Sequence, residues 1–160
     1  MRALVVMGTM ILGLACAGQR ARATDGPKDP CSLLTAAQVS STLGAKYSAQ
    51  EKSVAPRPFA NTVQGTDCHY KTASGQDQVL FRVYFDVSAA QATDLHTRLK
   101  SFYADGSTPA TVGDEAYVDK NSAIHVRKGN VRYFLTISHG DTPNGRKQIL
   151  ALASLVAGEL

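Results

Sequence analysis

The sequence predicts an α+β fold in which three helices pack on a largely antiparallel sheet of about five or six strands. Three observations lead there. Val79 to Val87 and Val131 to Ser138 alternate apolar with polar residues, the period of a half-buried strand. Segments opening at Thr35, Ser88 and Pro143 repeat apolar residues at helical spacing behind helix-starting residues. The last three strands are joined by tight turns, which link antiparallel neighbours.

In chain order, residues 2–17 carry one positive charge, Arg2, and then an apolar run too short to span a bilayer, which predicts a signal peptide. Small-residue cleavage sites follow at Ala15-Cys16-Ala17 and Ala21-Arg22-Ala23; the second is better placed, so residues 1–23 are read as the leader and Thr24 as the mature start. The other exit is lipidation of Cys16, although Gly13 stands where a lipoprotein signal has Leu. Residues 24–30 are polar and rich in breakers, a linker. Residues 31–160 are read as one domain, since a chain of this length supports one core.

The first helix begins at the capping box Thr35-Ala36-Ala37-Gln38, with Leu34 placed to staple against Val39, and ends at Gly44. Residues 45–66, with Pro56, Pro58 and Gly65, suggest a short strand near Tyr47 and then a surface loop. A strand at Cys68 to Lys71 turns at Ser74-Gly75 into the strongest strand, with Val79, Phe81, Val83, Phe85 and Val87 on one face and Leu80, Arg82, Tyr84 and Asp86 on the other. Ser88 to Gln91 is a second capping box, and Ala92, Leu95, Leu99, Phe102 and Tyr103 form its helix's apolar stripe up to Asp105-Gly106. Strands at Glu115–Asp119, Ser122–Lys128 and Val131–Ser138 turn at Lys120-Asn121 and Gly129-Asn130. Pro143 opens a last helix with Ile149, Leu150, Ala153, Val156 and Leu160 inward.

The net charge of +4 overstates the basicity of the mature chain. Three of the 17 basic residues, Arg2, Arg20 and Arg22, fall in the leader, which leaves 14 against 13 acidic ones. A net of +1 gives no electrostatic case for nucleic acid. Of the three cysteines, Cys31 and Cys68 remain and have only each other in an oxidising compartment. Closing that loop is worth roughly 3 to 4 kcal/mol in the chain-entropy model. A redox-active pair would use near-adjacent cysteines, and no Cys-x-x-Cys is present.

Asp29-Pro30-Cys31-Ser32-Leu33-Leu34-Thr35 with Cys68-His69-Tyr70, and Val112-Gly113-Asp114-Glu115-Ala116-Tyr117 with Val126-Arg127-Lys128-Gly129-Asn130, carry a resemblance over most of the mature chain. The chain resembles small exported proteins and lipoproteins of actinobacteria, a family of unknown function similar to the extracytoplasmic sensor domain of some mycobacterial serine/threonine kinases. The resemblance implies a helix-covered antiparallel sheet, a Cys31–Cys68 disulfide and a place in the cell envelope; it supplies no catalytic residue. Read from the residues alone, Asp29-Pro30 is a turn delivering Cys31, and Gly113-Asp114 is a turn in which Gly permits a positive φ.

Candidate chemistry is thin. His69, His96, His125 and His139 lack second ligands at metal spacing, and His139-Gly140-Asp141, the nearest approach, reads as a turn and an N-cap. No Gly-x-Ser-x-Gly and no phosphate-cradling loop occurs, and no cofactor is expected. Asp114 and Glu115 are adjacent, so on a strand they face opposite ways. The most informative set is Arg82, Tyr84, His125, Arg127, Arg132 and Phe134, all expected to face away from Phe81, Val83, Ile124, Leu135 and Ile137. Cations and rings together suit an anionic or sugar-like ligand or a partner protein. The plainer alternative is a solvated face, or one covered by the third helix. The expectation is therefore an exported, non-catalytic envelope or secreted module that binds a ligand or partner, membrane-bound only through a lipid at Cys16. The alternative is a small extracytoplasmic enzyme using His139 with Asp141, or His125. A deep pocket gathering those side chains would favour the enzyme, and a groove or flat face the binder.

Overall fold

The carboxylate of Asp29 accepts the Cys31 N–H at 3.0 Å and Pro30 takes the first helical position, which together set the single turn α1 (Pro30–Leu33). The computed structural model describes residues 29 to 160 apart from 61 and 104. The leader at 1–23, its cleavage sites, Cys16 and linker residues 24–28 lie outside the described residues. Thr35 then caps α2 (Ala36–Leu43) through a reciprocal box with Gln38, and Gly44 ends it at φ +75°. Leu34 and Val39, on either side of that cap, are both fully buried in the same core.

Among the described residues seven strands form one antiparallel sheet: β1 (Tyr47–Ala55), β2 (Gly65–Thr72), β3 (Gln78–Phe85), β4 (Thr108–Ala110), β5 (Glu115–Val118), β6 (Ile124–Lys128) and β7 (Val131–Ile137). Their order across the sheet is β1-β2-β3-β7-β6-β5-β4. Two meanders thus meet where β3 pairs with β7, Phe81 opposite Leu135 and Arg82 opposite Phe134. The helix α3 (Ala89–Phe102) connects the meanders, and α4 (Pro143–Glu159) follows β7, capped by Thr142 with Pro143 at its start.

One face of the sheet holds the main core. Phe81, Tyr133, Leu135, Ile124 and Tyr70 are buried there against Leu33 and Leu34, Val39 of α2, and Ile149, Leu152, Ala153 and Val156 of α4. Buried hydroxyls tie the layers: Tyr133 donates to the Ala153 carbonyl at 2.7 Å and Tyr70 donates to the Leu34 carbonyl. Cys31 and Cys68 are disulfide-bonded with Cα atoms 5.3 Å apart, which pins α1 to β2. Among the described residues no helix is long and apolar enough to cross a membrane. The disulfide and this observation are compatible with an exported domain.

The α+β class and the antiparallel sheet are as expected, while the element count among the described residues is corrected to seven strands and four helices. The extra helix is α1, expected as a turn. The extra strand is β4, three residues on a sheet edge where Pro109 is tolerated. β1 runs to Ala55 rather than stopping near Tyr47; as the opposite edge strand, with a bulge between residues 49 and 51, it has no strong period to read. β3 stops at Phe85, and Val87 lies beyond it, 79% exposed. In α3 the expected inward residue Phe102 is 73% exposed, whereas His96 is 1% exposed. In α4 Leu152, one residue off the expected stripe, is fully buried.

Candidate functional site

The second face of the sheet carries the basic and aromatic set. Pairing register lines it up in two rows across the strands: Asp67, Arg82, Phe134, His125 and Tyr117 in one, Tyr84, Arg132 and Arg127 in the other. All six expected residues do share this face. It is not an open surface, nor is it covered by the C-terminal helix, which packs on the other side. Its roof is α3 at the β5–β7 end, through His96 against Tyr117 (ring centroids 5.2 Å) and Tyr103 against His125 (5.1 Å). The segment after β1 closes the other side, where Tyr84 donates to the Pro56 carbonyl at 3.0 Å.

That loop can lie so close because position 65 is glycine. A Cβ there would come within 2.6 Å of the Tyr84 ring and 2.9 Å of the Val83 carbonyl oxygen. Beyond Pro58, Phe59 meets Phe102 of α3 at 5.9 Å between centroids, and the Arg98 guanidinium lies 4.2 Å from the Phe59 ring centroid. Loop and helix are thereby clasped over the sheet.

Between them is a cavity of about 260 Å³. Arg82, Tyr84, Arg132, Phe134 and His125 form its floor; His96, Leu99 and Tyr103 of α3 form one wall, and Pro56 to Pro58 the other. Five of the six expected face residues are therefore brought together. Arg127 is the exception, since its Nη1 reaches the Asp114 carboxylate at 2.8 Å outside the cavity.

Of the cavity's arginines, Arg82 and Arg132 are compensated by carboxylates, while Arg57 of the loop is exposed. Arg82 makes a two-pronged bond to Asp67 (2.7 and 2.9 Å), and Arg132 one to Asp86 (2.6 and 3.0 Å). His125 Nε2 lies 3.0 Å from the Asp119 carboxylate. Burial alone would push Asp119 up, but its bonds to His125 and to the Ala123 and Asn121 N–H groups outweigh it and hold the carboxyl below its ordinary range. Arg132 also faces the Tyr84 ring at 5.0 Å. His96 has no ion partner, and its burial lowers its pKa to about 4, so its imidazole is neutral at pH 7.

No protein-family model matches the chain, and no curated protein matches it.

The arginine–carboxylate pairing leaves some donors over. Among the described residues the buried side-chain polar atoms without a partner are His96 Nε2, Tyr117 OH, Arg127 Nε and Arg132 Nη1, all on or facing this side of the sheet. His139 and Asp141 belong to another region. His139 bonds Asp77 at 2.7 Å and is exposed, while Thr142, not the expected Asp141, caps α4; no bond joins His139 to Asp141, the two residues of the enzyme alternative. Among the described residues no three His, Cys, Asp or Glu side chains form a group able to hold a metal.

Sequence reasoning missed His96, Tyr117, Tyr103's place in a site and the loop at 56–58. One signal was available for His96. It stands four after Ala92 and three before Leu99, on the helical stripe otherwise read as apolar.

Proposed function

We propose that this chain is an exported, non-catalytic module that binds a small ligand in the cavity between α3 and the sheet. The observation that carries the reading is the cavity itself, which gathers the rings of Tyr84, Tyr103 and Phe134 with the cations Arg57, Arg82 and Arg132 in one concave space. The cavity is concave, ring-lined and furnished with a few fixed polar groups, the usual make-up of a ligand site. Its described lining includes no serine, cysteine or carboxylate, a composition suited to holding a molecule rather than cleaving one. The disulfide and the resemblance to exported envelope proteins support a place outside the cytoplasm.

The test is thermal denaturation in the presence of a panel of small anions, sugars, aromatic compounds and short peptides, run on the wild type and on Leu99→Trp, which fills the cavity from the helix side. At least one compound is expected to raise the midpoint of the wild type and leave that of the filled variant unchanged. A panel that moves neither protein, or moves both alike, overturns the reading.

A second reading, a small extracytoplasmic enzyme, keeps one specific observation: His125 lies on the cavity floor with Asp119 behind it. It predicts that His125→Gln abolishes turnover of a bound compound while binding persists.

A further inference from the structure

We propose that the clasp of Phe59 and Phe102, with Arg57 and Arg98 beside it, is a docking surface for an acidic, ring-bearing peptide segment of a partner protein. This goes beyond the ligand reading, because it uses the solvent side of the loop and helix that wall the cavity.

Phe102 is the first argument. It is 73% exposed near the end of α3, three residues after Leu99 and one before Tyr103, both of which line the cavity. Its ring meets the half-buried Phe59 ring at 5.9 Å between centroids, so it is one end of an apolar surface rather than an isolated exposed side chain. The loop side of that surface is held in place. The Tyr84 hydroxyl donates to the Pro56 carbonyl at 3.0 Å, the Thr62 hydroxyl donates to the Phe59 carbonyl at 2.7 Å, and prolines flank Arg57 on both sides. A surface fixed before binding loses little conformational freedom on docking.

Charge is the second argument, and it says what covers the rings. Arg57 is exposed, and among the described residues no carboxylate answers it. The Arg98 guanidinium lies 4.2 Å from the Phe59 ring centroid, and its carboxylate partner Asp94 stands 3.9 Å away with both side chains in solvent, a pair that contributes little. The acids nearer the sheet, Asp67, Asp86 and Asp119, are taken by Arg82, Arg132 and His125. Positive charge is therefore left over around exposed rings, and arginine with aromatic residues is the make-up that protein interfaces favour. An acidic segment carrying a ring meets both features, by charge and by ring contact. A second copy of this chain would set Arg57 and Arg98 against their own kind across a two-fold axis. A membrane would find little to hold, since α3 otherwise offers Thr93, Asp94, Thr97 and Ser101 to solvent.

The experiment is selection of random twelve-residue peptides displayed on phage against the wild type at pH 7. The enriched peptides are then synthesised with blocked termini and titrated into isotope-labelled protein, read by amide chemical shifts. Enrichment of Asp or Glu beside Phe, Tyr or Trp is expected, with shifts concentrated at residues 57–59 and 98–103. Phe102→Ser and Arg57→Glu are each expected to weaken the selected peptide about ten-fold, and Val87→Ser, an equally exposed change elsewhere, to leave it unchanged. Both altered side chains are exposed, so the melting midpoints should match the wild type. No enrichment, enrichment of basic or uncharged peptides, or affinity indifferent to Phe102→Ser overturns the proposal. Sedimentation with phosphatidylglycerol vesicles that Phe102→Ser abolishes, or a dimer that it dissociates, also overturns it in favour of that occupant. The thermal panel reads the cavity separately: a compound that protects the wild type while no acidic peptide is selected sinks the docking surface and leaves the cavity a ligand site.

Discussion

His96 is where burial and chemistry conflict most directly. An imidazole whose pKa is lowered from 6.5 to about 4 takes up a proton more readily in the unfolded chain than in the folded one. Its contribution to stability is therefore complete above about pH 6.5 and is lost as the pH falls from there through about 4. The shift corresponds to about 3 kcal/mol. Denaturant unfolding measured from pH 7 to pH 4 should show stability falling on acidification for the wild type. His96→Phe, which keeps a ring against Tyr117, should fall less by about that amount; identical slopes would show that His96 is not held neutral by the fold. Asp119 acts in a separate window, because a carboxyl held below its usual range loses its contribution only as the pH drops beneath that range. Arg132 and Asp86 are a different case: both are almost fully buried, so removing either one strands a charge, which costs more than the pair itself contributes.

Among the elements, α1 depends most on a covalent tie. Four residues cannot sustain a helix alone, and this turn is held by the Asp29 cap, the Cys31–Cys68 bond and the seating of Leu33 and Leu34 in the core. The bond closes a loop across 37 positions, which the chain-entropy model converts to about 4 kcal/mol. Replacing both cysteines by serine should lower the unfolding free energy by about 3–4 kcal/mol, measured by urea titration at pH 7 against the oxidised wild type. A loss below about 1 kcal/mol would mean that the Leu33–Leu34 packing and the Tyr70 hydroxyl hold the turn without it. The turn before β5 depends instead on glycine: Gly113 sits at φ +63°, and a Cβ there would meet the Arg127 carbonyl oxygen at 2.6 Å. That close approach lets Asp114 accept from both Arg127 and the Gly129 N–H.

At the scale of the whole molecule, the β3–β7 seam makes one sheet out of two meanders. It joins residues about fifty positions apart, Phe81 to Leu135 and Val83 to Tyr133, and it is flanked on one side by β2 and on the other by β6. Both faces are covered there, by α4 and the first helices on one side and by α3 with Pro56 to Phe59 on the other. The slowest amide exchange is therefore expected at residues 81–83 and 133–135, near the global unfolding free energy, with β1 and β4 at the edges exchanging first. Fast exchange along β3 with slow exchange in β5 and β6 would show the second meander to be the more stable unit. The cavity lies beside the same seam, floored by β3, β6 and β7, so ligand binding should slow exchange in those strands more than in β1 or β2.

How much of this was legible follows from where the information resides. By itself the sequence determined the class, the capped helix starts at Thr35 and Ser88, the tight turns and the alternation that puts Arg82, Tyr84, His125, Arg127, Arg132 and Phe134 on one face. Each of those depends on neighbours within a turn or a strand, and period and capping are local. Only the tertiary structure decided which acids answer those cations, that α3 rather than α4 roofs the face, and that Arg127 turns away while His96 turns in. Asp67 meets Arg82 because β2 lies beside β3, and Arg127 opposes Arg132 because β6 lies beside β7. Strand order and register are set by long-range burial of the opposite face, and no local pattern in the chain encodes them.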